Sequence, residues 1–474
     1  MTRASSCVGR RSTASASGRF SAIPRALLLG LVLALGLSSC GLFGDDAPAP
    51  SSPAAAPPDA VTGIQAVLDK RARALRTGDR ARFAATLGGD RSFRRTQLAS
   101  FSSIEQLPVS DLRLTVRPAD VVLEGESYWA VVEVRMQLDG YDAMPVTTRD
   151  RYLFTPIAGR PGRFRIASTT DAAWEARNGV VTEPWDAGAV QIREQGGVLG
   201  VFDDRTVASA DRVLSAVERG ISEVSLVVPY DWTRQVVVYA VTDPAFLQAV
   251  APVSADTGLL AGVAFEVRAG VDSERIASTR IVLGTDALAA DDLTLDRLVR
   301  HELTHVAIGT HDDAAPRWLQ EGLAEYVSTR ALRPQQRRVP RSALETLRTT
   351  PRSLPTDAEF NTTDVVANYA LAWFVCEQIA RTDGESRLWS LLDTFALGDT
   401  PPEDAGAAVV RDQLGVSATR LVRSADRLLL SIYAPQYLPA PEPSEPSATP
   451  EPDPSLDPSA DPSASATAGP GVVG

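Results

Sequence analysis

Apolar residues first recur with helical spacing at Val61, Ile64, Val67, Leu68 and Leu75, and Gly78 closes the run. That spacing predicts an amphipathic helix, with a shorter helical piece after it over Arg80 to Leu87. From Leu112 the period changes. Leu112, Leu114 and Val116, then Tyr128 to Leu138, Arg149 to Phe154 and Arg163 to Ala167 read as strands, with turn signals at Glu124-Gly125, Asp139-Gly140 and Gly159 to Gly162. Helices followed by an antiparallel sheet predict an α+β domain over residues 59–178. A second domain is expected over 179–433. It opens with strand-like runs (Val198 to Phe202, Gln235 to Val241, Gly262 to Val267, Arg280 to Leu283) and a helix near Ala208 to Ile221, which together predict a mixed sheet. From Leu293 onward the pattern is helical, so a helical half follows the sheet.

The flanks differ in kind. Residues 40–58 are rich in Pro, Ala and Ser and read as a tether; residues 434–474, dominated by Pro, Ser, Ala, Glu and Asp, cannot bury enough apolar area to order and read as a disordered tail. At the start, Arg3, Arg10, Arg11, Arg19 and Arg25 precede an apolar run from Ala26 to Leu37, too short for a spanning helix, which needs about 20 residues. Leu37-Ser38-Ser39-Cys40 follows at once. Residues 1–39 resemble a bacterial lipoprotein signal peptide whose lipobox ends at Cys40. The resemblance implies cleavage before Cys40, acylation of its thiol, and a lipid-anchored protein on the extracytoplasmic face of the bacterial cell membrane. The net charge of −12 excludes a general nucleic-acid binder, so no nucleic-acid partner is expected. The same sign disfavours docking on anionic lipid and leaves the acyl chains as the anchor. Cys376 then has no disulfide partner and, within the apolar stretch Tyr369 to Ile379, is expected to be a small buried hydrophobe.

Candidate chemistry gathers at His301-Glu302-Leu303-Thr304-His305. On a helix, residues four apart share one face, so both imidazoles can reach one metal ion while Glu302 faces its water. Apolar Leu295, Leu298, Val299, Val306 and Ile308, a candidate cap at Thr294 and a stop at Gly309 support the helix. The chain has three histidines, and all of them fall between His301 and His311. A catalytic zinc site needs three protein ligands, which leaves a third to find. His311 stands at the metzincin separation from His301, but Ile308 occupies the place of the metzincin turn glycine, and Met1, Met136 and Met144 all lie upstream of where a methionine turn is needed. The other candidate is Glu321, in Pro316-Arg317-Trp318-Leu319-Gln320-Glu321-Gly322-Leu323-Ala324-Glu325-Tyr326, where Pro316 suits the first turn of a second helix.

Here the chain resembles the thermolysin-like gluzincin metallopeptidases, with Trp318, Glu321, Gly322 and Ala324 matching their W-x-x-E-G-x-A motif over a resemblance that runs from Arg280 to about Leu392. It implies one Zn²⁺ per chain on His301, His305 and Glu321, with Glu325 as an acceptor that orients a ligand histidine. It further implies a membrane-anchored metallopeptidase that hydrolyses peptide or protein substrates with zinc-activated water and Glu302 as general base. Tyr369 is the candidate for stabilising the oxyanion, and the strand Arg280 to Leu283 is expected to be the edge that pairs with substrate. Residues 59–178 are similar in order of elements to the cone-shaped nuclear transport factor 2-like superfamily. Two other readings stay open: a non-catalytic cell-envelope adaptor lipoprotein with a structural or inactive zinc site, and an amidase acting on wall cross-links. In all of them His311 is expected to have no metal role.

Overall fold

The computed structural model describes residues 57–250, 262–349, 352–398 and 402–437. The signal-like segment, Cys40, the tether up to residue 56 and the tail from residue 438 lie outside the described residues. Helix α1 (Pro58–Arg76) reaches one residue into the segment read as tether, because Pro58 sits at the helix start, where its missing N–H is no loss and its φ is pre-set. Its buried face holds Ile64, Val67 and Leu68. Helices α2 (Arg80–Ala84) and α3 (Arg91–Ile104) are opened by Asp79 and Asp90, whose carboxylates accept a first-turn N–H. The apolar pattern did not announce α3, since its buried face mixes Gln97, Ser100 and Ser103 with Phe101 and Ile104. Strands β1 (Val109–Glu124), β2 (Ser127–Leu138), β3 (Val146–Ile157) and β4 (Arg160–Ser168) then form an antiparallel sheet in sequence order. Short helices α4 (Ala172–Asn178) and α5 (Pro184–Ala187) lead out of it.

The second sheet contains β5 (Gln191–Gln195) and β6 (Val198–Phe202), then, after helix α6 (Ala210–Val224), β7 (Val236–Ala240), and, after helix α7 (Pro244–Val250), β8 (Gly262–Arg268) and β9 (Ile276–Leu283). Its order is β5-β6-β7-β9-β8, parallel at β6/β7 and β7/β9 and antiparallel at both outer pairs. This corrects the expectation for Arg280 to Leu283: β9 lies between β7 and β8 and is internal, and β8 is the edge strand at that end of the sheet. Strands β6 and β7 are buried at every residue because both faces of the sheet are covered. Val198, Phe202, Val236, Val238, Ile281 and Leu283 enter the core shared with the helical half. Leu199, Val201, Val237, Tyr239 and Val282 enter a second core with Ile104, Leu107, Leu138 and Tyr141, which come from α3, the first sheet and their loops.

The helical half comprises α8 (Thr285–Ala289), α9 (Asp292–Ile308), α10 (Arg317–Arg330), α11 (Arg341–Thr349), α12 (Asp357–Phe360), α13 (Val365–Thr382), α14 (Glu385–Ala396), α15 (Pro402–Leu414) and α16 (Ala418–Tyr433). Asp291, not Thr294, caps α9: its Oδ1 accepts the Thr294 N–H at 2.8 Å, which places Thr294 inside the first turn. Gly309, at φ 56°, ends the helix as expected. Cys376 is a free, fully buried thiol on α13, and burial pushes its pKa up, as suits a packing residue. The chain is thus α+β, with an antiparallel sheet first, a mixed sheet next and helices last. Among the described residues no helix is long and apolar enough to cross a membrane.

Candidate metal centre

Helices α9 and α10 carry the HExxH segment and Glu321. They are locked together beneath the site by Arg300, a buried side chain whose Nε donates to the Ser328 carbonyl at 2.7 Å while its Nη1 donates to Glu223 of α6 at 2.8 Å. One helical turn separates His301 from His305, and their ring centroids lie 5.1 Å apart. Both Nε2 atoms face the same oxygen of Glu321, Oε2, at 3.3 and 3.6 Å. The three ligand atoms all lie within 4.8 Å of one another, and among the described residues this is the group of His, Cys, Asp and Glu with metal-ligand spacing. His311 lies elsewhere. It sits on the turn Gly309–Asp312 after α9 and stacks on Tyr230 with ring centroids 4.1 Å apart, while the Tyr230 hydroxyl donates to Asp393.

The other sequence-derived residues fall around this triad at different distances. Glu325 Oε1 is 3.6 Å from His301 Nδ1, and its Oε2 accepts from Arg297 Nη2 at 2.5 Å. Glu302 is buried and its Oε2 accepts the backbone N–H of Ala264, on edge strand β8, at 2.7 Å. The Tyr369 ring lines the cleft 6.4 Å from the His301 ring; it lies in the second turn of α13 and does not open that helix. Arg297 escaped the sequence reading, and so did three further neighbours. Asp312 Oδ2 is 3.9 Å from His305 Nδ1, Arg317 Nη1 is 3.8 Å from Glu321 Oε1, and Ala264 supplies a main-chain donor. Asp312 had a signal, its place in the loop just after the second histidine; Ala264 had none, because a backbone contact leaves no residue-type signature.

The triad's electrostatics suit a cation. Burial opposes charge on His301 and His305, yet the pKa of each is raised, for His301 through Glu321 with Glu325 and Glu302, and for His305 through Asp312 and Glu321. Burial also opposes charge on Glu321, but its hydrogen bonds to the two imidazoles hold its pKa well below the usual carboxylate range. Glu302 is pushed up, chiefly by burial. Burial and the carboxylates of Glu321, Glu302 and Glu325 push Tyr369 up, which keeps it a protonated donor. Two imidazoles and a carboxylate converging on one point, with protons held where a metal would stand, fit a divalent ion of borderline softness. The triad opens into a cleft of about 750 Å³ lined in part by Val263, Phe265, Glu266, Val339, Val366 and Tyr369, a size that takes a peptide segment. A scan against protein-family models and a search of curated proteins each returned no match to this chain.

Proposed function

We propose that this protein is a zinc-dependent metallopeptidase of gluzincin type, anchored through Cys40 on the extracytoplasmic face of the bacterial cell membrane. The observation that carries the reading is the convergence of His301, His305 and Glu321 beside a buried Glu302 at the floor of a large cleft. A structural zinc site has no need of a fourth, acidic group poised there; a hydrolytic one does. Zinc on His301, His305 and Glu321 would supply a Lewis acid that lowers the pKa of a water to about 7 and polarises the scissile carbonyl. Glu302 takes a proton from the attacking water and returns it to the leaving amine, and burial, which raises its pKa, favours its holding the proton between the two transfers. Glu325, itself gripped by Arg297, turns the His301 ring through the nitrogen that faces away from Glu321. The Tyr369 hydroxyl is the donor on the opposite helix for the developing oxyanion. Strand β8, paired on one side only among the described residues and lining the cleft, offers its other edge to an extended substrate.

The test is zinc per chain by elemental analysis of the protein lacking residues 1–40. One equivalent is expected in the native sequence and in His311→Ala, and none in Glu321→Ala. Glu302→Gln keeps the metal and loses cleavage of a peptide library by about 10²- to 10⁴-fold. Zinc retained with cleavage undiminished in Glu302→Gln refutes the mechanism. Zinc with no cleavage in any form favours the adaptor reading.

A further inference from the structure

The loop between β2 and β3 crosses to the second sheet and grips it by both backbone and side chain. Asp142 Oδ1 accepts from Arg280 Nη2 at 3.0 Å and from Ser278 Oγ at 2.8 Å, while its Oδ2 accepts the Leu138 N–H at 2.8 Å and so ties the loop to its own sheet. The pair is sealed from water, with side-chain exposures of 2% for Arg280 and 1% for Asp142. On the far side Arg280 is held by the Tyr239 hydroxyl at 2.6 Å and by Glu183 at 3.2 Å. Main-chain bonds flank the pair: Ala143 N–H donates to the Ala277 carbonyl at 2.8 Å and Thr147 N–H to the Ala269 carbonyl at 3.0 Å. These contacts fall on β9 and at the end of β8. In the β8–β9 ladder Arg280 stands opposite Phe265 and Ile281 opposite Ala264. Ala264 is the residue whose N–H holds the Glu302 carboxylate.

We propose that Asp142 is a positioning residue for Glu302, acting through Arg280 and the β8–β9 ladder to fix the edge strand whose amide aims the Glu302 carboxylate. A buried, fully paired carboxylate and guanidinium hold one arrangement and exclude neighbouring ones, which is the property a strand needs if its amide is to stay on one oxygen. Among the described residues β8 has β9 as its one strand neighbour, so β9 and whatever grips β9 share with helix α9 in setting its place over the cleft. The proposal rests on the reading of Glu302 as general base, but the coupling itself is measurable without activity.

The experiment compares the full chain with Ser278→Ala, which removes the hydroxyl that donates to Asp142 and accepts from Arg280 Nε, and with Asp142→Ala, which removes the ion pair to Arg280. Amide hydrogen exchange is followed at residues 262–268 with zinc per chain, and cleavage of fluorescein-labelled casein gives kcat and KM. Exchange across β8 is expected to quicken about tenfold while α9 and α10 stay protected. Zinc stays at the native level, and kcat falls by about tenfold with a smaller change in KM. If Asp142→Ala does not fold, Ser278→Ala gives the same readings on a milder change. Unchanged β8 exchange in the folded variants overturns the proposal, and so does a loss of kcat that merely follows loss of zinc. A native protein that binds no zinc and cleaves nothing, but whose β8 loosens in Ser278→Ala, refutes the peptidase reading and leaves the coupling standing.

Discussion

Each of the two helix histidines faces a carboxylate on the ring nitrogen turned away from Glu321, Glu325 for His301 and Asp312 for His305. Outer carboxylates of this sort fix ring orientation and raise basicity, so single side chains outside the triad matter to what the triad can bind. A different acid shows the reverse economy. Asp150 shares the inward face of β3 with Tyr152 and Phe154, and burial, opposed by its bond from the Arg151 N–H and reinforced by Glu175 and Asp186, raises its pKa to about 7. An acid whose folded pKa lies above its unfolded value contributes stability that is present below the unfolded value, near 4, and is lost as pH rises through about 7. Asp150→Asn is therefore expected to leave Tm unchanged at pH 4 and to raise stability at pH 8. The gain is about 1 kcal/mol, less than the whole displacement would give because the side chain is partly exposed to solvent. Thermal melts at the two pH values check it, and an equal effect at both would show that charge on Asp150 is not the cause. Of the site residues, His301, Glu302 and His305 were legible because their spacing follows helix geometry, and Glu321 because its segment matches the W-x-x-E-G-x-A motif. Arg297 was not, because it acts through a contact that no spacing rule reports, and Asp312 left only its place in the loop after the second histidine.

Among elements, the approach of α10 to α13 sets the floor of the site, since one carries Glu321 and the other Tyr369. Gly322 makes that approach close: a Cβ there would lie 2.6 Å from the Ala372 carbonyl oxygen and 2.8 Å from Cys376 Sγ. The obstacle is backbone, which cannot turn aside as the end of a side chain can. Gly322→Ala is expected to destabilise the fold by about 1–3 kcal/mol and to displace Glu321, its neighbour in sequence, so zinc affinity falls as well. Urea titration and a zinc titration together test this; a stable variant with native zinc affinity would show that the helices separate freely. Most elements were legible from periodicity, α1, the strands of the first sheet and α9 among them. The exceptions follow from what packs against them. Helix α3 buries Gln97, which accepts from Arg71, and two serines, so its inward face is not apolar. The edge of the second sheet was misassigned because strand order depends on which partner β9 finds, and that partner, β7, lies some 40 residues earlier in the chain.

At the scale of the molecule, the two sheets share a core. Ile104, Leu107, Leu138 and Tyr141 pack with Trp185, Leu199, Val201, Val237 and Val282, so the second sheet is buried on this side only if the first part of the chain is folded against it. Denaturation is accordingly expected to show one transition, with far-UV circular dichroism and tryptophan fluorescence giving the same midpoint. Two separated midpoints would mean that the sheets unfold independently. The sequence by itself determined the local and periodic features: the helical run and glycine stop of α9, the alternation of the first sheet, the HExxH face and the W-x-x-E-G-x-A segment, all of which depend on residues within a turn or two of one another. Tertiary structure alone decided that Glu321 meets both imidazoles, that His311 stacks on Tyr230, that β8 is the edge strand and that Asp142 reaches Arg280. Those outcomes depend on which distant segments bury one another, a competition among whole surfaces that no local pattern encodes.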